Sequence, residues 1–280
     1  MRTELGGGVH RGPLWLTLPL AILIAFSSCA GLLLPSTYAR ETPLGAAGGA
    51  AADIANLCIL PVLVFCAILA WRGSLAAQLV WMGGLLFYVY EFVIYTLEVH
   101  FNALFLAYCA VLGLSCYAFV WSLAHVWRAE TPWSRNAPAL TSAVVLLILS
   151  LATAAQEIRE IVVAQLAGQP PASIANTSQA TSPVHVLDLA LLLPSWIVIA
   201  VMLLRRRPAG LVLAPMMFAF MAMMGGAVAE MGVFLVSRGF PGSYGMIVPM
   251  SVVAAGAALL AARFMHGSWA LSSARQLRTT

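Results

Sequence analysis

QLVWMGGLLFYVYEFVIYTL, from Gln78 to Leu97, decides what kind of protein this is. It is twenty residues long and carries one charged side chain, Glu91. An α-helix rises about 1.5 Å per residue, so a run of this length crosses the ~30 Å hydrocarbon layer of a bilayer. Seven further apolar runs of the same kind fall at about 14–34, 54–71, 103–127, 139–156, 184–204, 209–236 and 246–265. The whole chain is 62% hydrophobic and 9% charged. A soluble domain carries about 25% charged residues, so this supply cannot build a water-exposed surface. The prediction is an all-α integral membrane protein in one domain, 1–280, folded as an eight-helix transmembrane bundle with the lipid bilayer as its main partner.

Charge placement sets the expected orientation. All 14 basic side chains are Arg and none is Lys, so no side-chain amine is present to form a Schiff base with retinal or pyridoxal phosphate. With the N-terminus inside, Arg2, Arg11, Arg72, Arg128, Arg135, Arg205, Arg206, Arg207, Arg263, Arg275 and Arg278 fall on the cytoplasmic side, and only Arg40, Arg159 and Arg238 on the outer side. Positive charge collects on the cytoplasmic face of membrane proteins, so both termini are expected inside a bacterial plasma membrane. The net charge of +4 is scattered rather than massed on one face, which excludes a nucleic-acid partner. Arg2, Arg11, an apolar run and FSSCAG at Cys29 also match a cleavable signal; the run continues through GLLL to Pro35, so an uncleaved helix is expected. The five cysteines form no CxxC pair and sit in apolar runs, where Cys acts as a small hydrophobe.

The question is then why Glu91 lies inside such a run. On a helix running outward it is six residues from the outer end, roughly 9 Å deep. Tyr88, Glu91, Tyr95 and Glu98 follow at i, i+3, i+7 and i+10, one helical face. SPVHVLDLALLLP places His185 and Asp188 together on the sixth span, and GGAVAEMGVF places Glu230 near the outer end of the seventh. ADIAN places Asp53 and Asn56 at the outer boundary of the second. A charge at membrane depth is costly unless paired, hydrated or neutralised, and these groups all gather toward one leaflet. They predict an outward-facing acidic cavity lined by Glu91, Asp188 and Glu230, with Tyr88, Tyr95 and His185 beside them. Asp53, Asn56, Glu98, His100 and Asn102 are secondary candidates. The alternative is structural: each carboxylate joins two helices by a hydrogen bond.

Other strings carry less chemistry. Leu60-Pro61 and Leu193-Pro194 follow acidic residues on the second and sixth spans, and EFVIY at Glu91 is echoed by EMGVF at Glu230. These echoes suggest a parallel 4+4 repeat with halves 1–136 and 137–280. Residues 35–53 and 157–183 read as outer loops, the first Gly/Ala-rich and the second opening on EIRE. Trp15, Trp71, Trp81, Trp127 and Trp133 fall near predicted interfaces, as an aromatic belt requires. No organic cofactor is implied. A divalent metal, if present, would fall to His185, Asp188, Glu91 and His100, although HExxH is missing. Ser115 in GLSCYAF lacks the spacing of a nucleophile elbow.

FNALFLAYCAVLGLSCYAF from Phe101, PVHVLDLALLLP from Pro183, YVYEFVIY and the short RRRPAG turn resemble a group of bacterial polytopic membrane proteins. The likeness extends over roughly two thirds of the chain and implies a plasma-membrane protein, with no activity attached. The leading expectation is binding or transport of a cation or small polar solute. A membrane-embedded metal-dependent enzyme acting on a lipid, and a structural or accessory subunit, are the alternatives.

Overall fold

The computed structural model describes residues 11–126, 137–175, 177 and 179–276. Among these there is no strand, and eight helical units are long and apolar enough to cross a membrane. A 3-10 turn at Gly12–Leu16 leads into α1 (Thr17–Leu33); α2 (Pro43–Trp71), α3 (Leu75–Leu97), α4 (Phe105–Val126) and α5 (Ala139–Ala167) follow. The sixth span is composite: α6 (Pro183–Leu187), a π-helical segment at Asp188–Leu192, then α7 (Leu193–Leu204). α8 (Pro208–Ser237) and α9 (Tyr244–Gln276) complete the bundle. The protein is thus an all-α integral membrane bundle of eight spans. Arg2, Arg128, Arg135, Arg278, Trp127 and Trp133 lie outside the described residues.

α3 and α8 form the centre. Of their most apolar stretches 72% is buried, against 17–39% in the other six spans. Gly83 of α3 makes their contact close: a methyl group there would stand 2.8 Å from the Met216 carbonyl and the Ala219 Cβ of α8. α3 also packs on α2 and α4, and α8 on α2, α7 and α9, so most of the bundle is organised around this pair. Trp81 is correspondingly not an interfacial belt residue. It is fully buried, and its indole N–H donates to Thr17 Oγ1 of α1 at 3.0 Å. Trp15 and Trp71 do meet edge to face, 4.9 Å apart, beneath the Arg11 guanidinium.

α2 and α5 extend beyond their apolar runs at the cavity end. α2 begins at Pro43, not near residue 54, because Thr42 caps it: its hydroxyl accepts from the Gly45 N–H at 3.2 Å and Pro43 fills the first helical position. The Gly/Ala-rich stretch expected as loop is therefore its first turns. α5 continues through EIRE to Ala167, where Gly168 at φ 61° closes it with a left-handed cap. The sixth span opens on a similar signal, Ser182 accepting from His185 N–H at 3.3 Å with Pro183 next.

The π-helical segment has its own cause. Pro194 has no N–H to give, and the turn ahead of it widens. Two serine hydroxyls take up nearby carbonyls: Ser195 donates to Leu192 O at 2.6 Å, and Ser150 of α5 donates to Leu193 O at 3.0 Å. Apolar surroundings demand such partners for exposed carbonyls.

Candidate functional site

A cavity of about 660 Å³ lies at the end of the bundle where α2 begins and α3 ends. Residues of α2, α3, α5, the 173–182 segment, the sixth span, α8 and α9 line it. Its charged lining is one-sided: Glu41, Glu91, Glu98 and Asp188 contribute four carboxyls, His185 one imidazole, and no Arg reaches it among the described residues.

Glu91 is the central group. Its side chain is only 9% exposed, it lines the cavity, and among the described residues no hydrogen bond or ion pair reaches its carboxyl. A carboxyl that no protein group satisfies and that opens on a chamber is available to whatever the chamber receives, water or a cation. Tyr95, one turn on, shares the lining, as does Glu98 beyond it. Tyr88 belongs to the same sequence pattern but is absent from the lining; it is fully buried and donates to the Asn56 carbonyl of α2 at 2.9 Å.

Asp188 reaches the cavity from the π-helical segment. Tyr90 of α3 donates to its Oδ1 at 3.0 Å, and the Glu157 carboxyl of α5 shares a hydrogen bond with it while the Glu157 Oε2 is buried without a partner. His185, one turn earlier, stands 4.0 Å from Glu160, whose other oxygen accepts from Ser173 N–H at 2.8 Å. Glu230 does not join them. It is absent from the lining, and its Oε2 is buried without a partner elsewhere on α8.

Asp53 has a different fate. It is 1% exposed, outside the lining, and held by two phenols: Tyr38 donates to Oδ2 at 2.6 Å and Tyr95 to Oδ1 at 2.9 Å. Burial, and then the Asp53 charge, push the Tyr38 hydroxyl well above its ordinary value, so it keeps its proton and donates. Asn56 adds a contact to the Tyr95 hydroxyl at 3.4 Å. Gly31 of α1 lies against the carboxyl so closely that a methyl group there would overlap Oδ2.

At the rim, Glu41 Oε1 accepts from the His100 backbone N–H at 2.7 Å and pairs with its Nδ1 at 2.9 Å. Asn102 Oδ1 accepts from Leu104 N–H at 2.8 Å, and its Nδ2 donates to Thr37 O at 3.3 Å. Both residues tie the α3–α4 connection to the segment before α2. Burial and the nearby Glu41 carboxylate push Glu98 up to about 7. Among the described residues no group of three or more His, Cys, Asp or Glu is placed to hold a metal ion, and His100 is turned to Glu41.

Sequence reasoning passed over Tyr38, Glu41, Tyr90, Glu157 and Glu160. Glu157 and Glu160 could have been found as an i, i+3 pair had EIRE been read as helix. The fold and cavity together define a multi-pass membrane protein with an acidic chamber at one end. Compared with family profiles, curated proteins and solved structures, the chain matches none of them.

Proposed function

We propose that this chain binds a positively charged solute in the acidic cavity and carries it across a bacterial plasma membrane. The observation that supports this reading is Glu91: a residue only 9% exposed whose carboxyl has no protein partner and lines a chamber where the other charged groups among the described residues are three carboxyls and one histidine. A cation entering there would supply the missing partner, and Asp188, with Tyr90 already donating to one oxygen, would supply a second anionic contact. Tyr95 and His185 would orient the solute. Glu230 and Tyr88 would act in packing, and Asp53 in joining α1, α2 and α3.

Arginine placement supports a cavity facing outward with both termini inside. Arg72, Arg205, Arg206, Arg207 and Arg263 sit at the end of the bundle away from the chamber, and Arg11 lies over Trp71 at that same end. The proposed 4+4 duplication draws support from the central pairing of α3 with α8, the two spans it equates.

Uptake into proteoliposomes tests the reading. Screened against a panel of organic and inorganic cations, the intact chain should transport at least one saturably, and Glu91→Gln and Asp188→Asn should each reduce that uptake tenfold or more, the scale of a lost charge-assisted contact. Uptake unaltered by both substitutions would overturn it.

A further inference from the structure

The cavity has a second character that its carboxyls do not explain. The wall given by α8 and α9 is apolar and rich in sulfur: Met221, Met224 and Met231 come from α8, Met246 and Met250 from α9. A hydrated inorganic ion would engage Glu91 and Asp188 and leave this wall against water, which is unfavourable in proportion to its area. The volume is also large. About 660 Å³ falls inside the ~300–1,000 Å³ range of pockets that enclose drug-sized molecules, whereas one water takes only ~30 Å³. Methionine walls adapt to apolar shapes of differing outline, because the side chain is unbranched and polarizable. Trp196 adds a flat apolar face whose buried indole nitrogen has no protein partner.

From this juxtaposition we infer that the occupant is an amphipathic organic cation, its charged head at Glu91 and Asp188 and its apolar body on the methionine wall of α8 and α9. The inference rests on the cation reading above and narrows it. With no Arg among the described lining residues and His185 the one basic side chain against four carboxyls, an anionic head would be repelled, and the methionine side has no charge to hold a second polar end.

Equilibrium binding to the full chain in zwitterionic nanodiscs tests it with three probes, empty nanodiscs correcting for partition into lipid. Tetraphenylphosphonium has the charge and the apolar body, tetramethylammonium the charge alone, and tetraphenylborate the body with opposite charge. Tetraphenylphosphonium should bind saturably, tetramethylammonium at least tenfold more weakly, and tetraphenylborate without saturation. Glu91→Gln should weaken tetraphenylphosphonium about tenfold or more. Should that variant fail to assemble, Asp188→Asn should produce the same direction of change. Met224→Asn with Met250→Asn should narrow the preference for the larger cation. Equal affinity for both cations, lost together in Glu91→Gln, would overturn the amphipathic occupant and leave the cation cavity standing. Saturable binding of tetraphenylborate as tight as that of tetraphenylphosphonium, or no saturable binding of either cation, would overturn both.

Discussion

Asp53 and Asp188 look alike in the sequence and end in opposite surroundings. Each precedes a Leu-Pro pair on an apolar span, by eight residues to Pro61 and by six to Pro194. α2 continues unbroken through Pro61, while the sixth span widens into a π-helical turn before Pro194. Asp53 accepts from two tyrosine hydroxyls, one on each oxygen, and is sealed. Asp188 accepts from one phenol, Tyr90, shares a second hydrogen bond with the Glu157 carboxyl, and faces the cavity. α3 serves both, since Tyr90 and Tyr95 are five residues apart and so about 140° apart around the helix. Whether its partners seal a membrane carboxylate or leave one side open to a cavity, more than its depth, separates a helix tie from a group able to meet a ligand.

The largest test of that difference is removal of each carboxyl in turn. Asp53→Ala leaves the two buried phenols only the Gly49 carbonyl, at 3.3 and 3.4 Å, and should lower stability by about 2–3 kcal/mol, several degrees in the melting midpoint in nanodiscs. Asp188→Ala takes the acceptor from Tyr90 and the partner from Glu157, and should lower it by less, about 1–2 kcal/mol, while weakening cation binding tenfold or more. Equal losses from the two would erase the distinction. Next in size, Gly31→Ala drives a methyl into the Asp53 carboxyl and should cost about 2 kcal/mol by pushing that carboxyl off the Tyr38 and Tyr95 hydroxyls. A stable Gly31→Ala variant would mean that the seal around Asp53 is loose. Tyr95→Phe should then cost about 1 kcal/mol, because one Asp53 oxygen loses its donor; Tyr90→Phe should cost less and alter binding instead.

How much of this arrangement the sequence makes legible follows from what each signal encodes. Hydropathy records the transfer of side chains into lipid, so all eight spans can be read from it. It is silent where a helix lies within protein: Gly45, Gly48 and Gly49 look like loop residues, yet they line the cavity on the first turns of α2, where Gly49 also makes room for the Tyr38 ring. EIRE reads as the end of a membrane run for the same reason, although its charges are carried on a continuing helix. Glu91, Tyr95, Glu98, His185 and Asp188 stand out because polar residues in apolar helices need an explanation. Glu230 gives the same signal and does not reach the chamber, because the rotation of α8 about its own axis is set by packing against α3 and α9. Tyr90 and Tyr38 became visible only once their partners, distant in sequence, were placed beside them.

The smallest expected effect concerns acidity, and it separates the open site from the sealed one. Glu98 sits at the end of α3 on the cavity lining, with Glu41 facing it from the segment before α2 and His100 bound to Glu41. Burial and Glu41 raise it from 4.5 to about 7, so the folded chain holds that proton over a pH range in which an unfolded chain has released it. The group therefore favours folding below about pH 4.5, and the contribution declines as pH rises toward 7 and is gone above it. Binding runs the other way. Ionised Glu98 adds negative charge to the chamber, so cation affinity should rise as pH passes through about 7, by roughly threefold given the screening at a partly exposed rim. Glu98→Gln should flatten that rise, and Tyr38→Phe, beside the sealed Asp53, should leave it in place. Affinity that falls across this range, or a rise that survives Glu98→Gln, would show that the chamber's charge is set by another group.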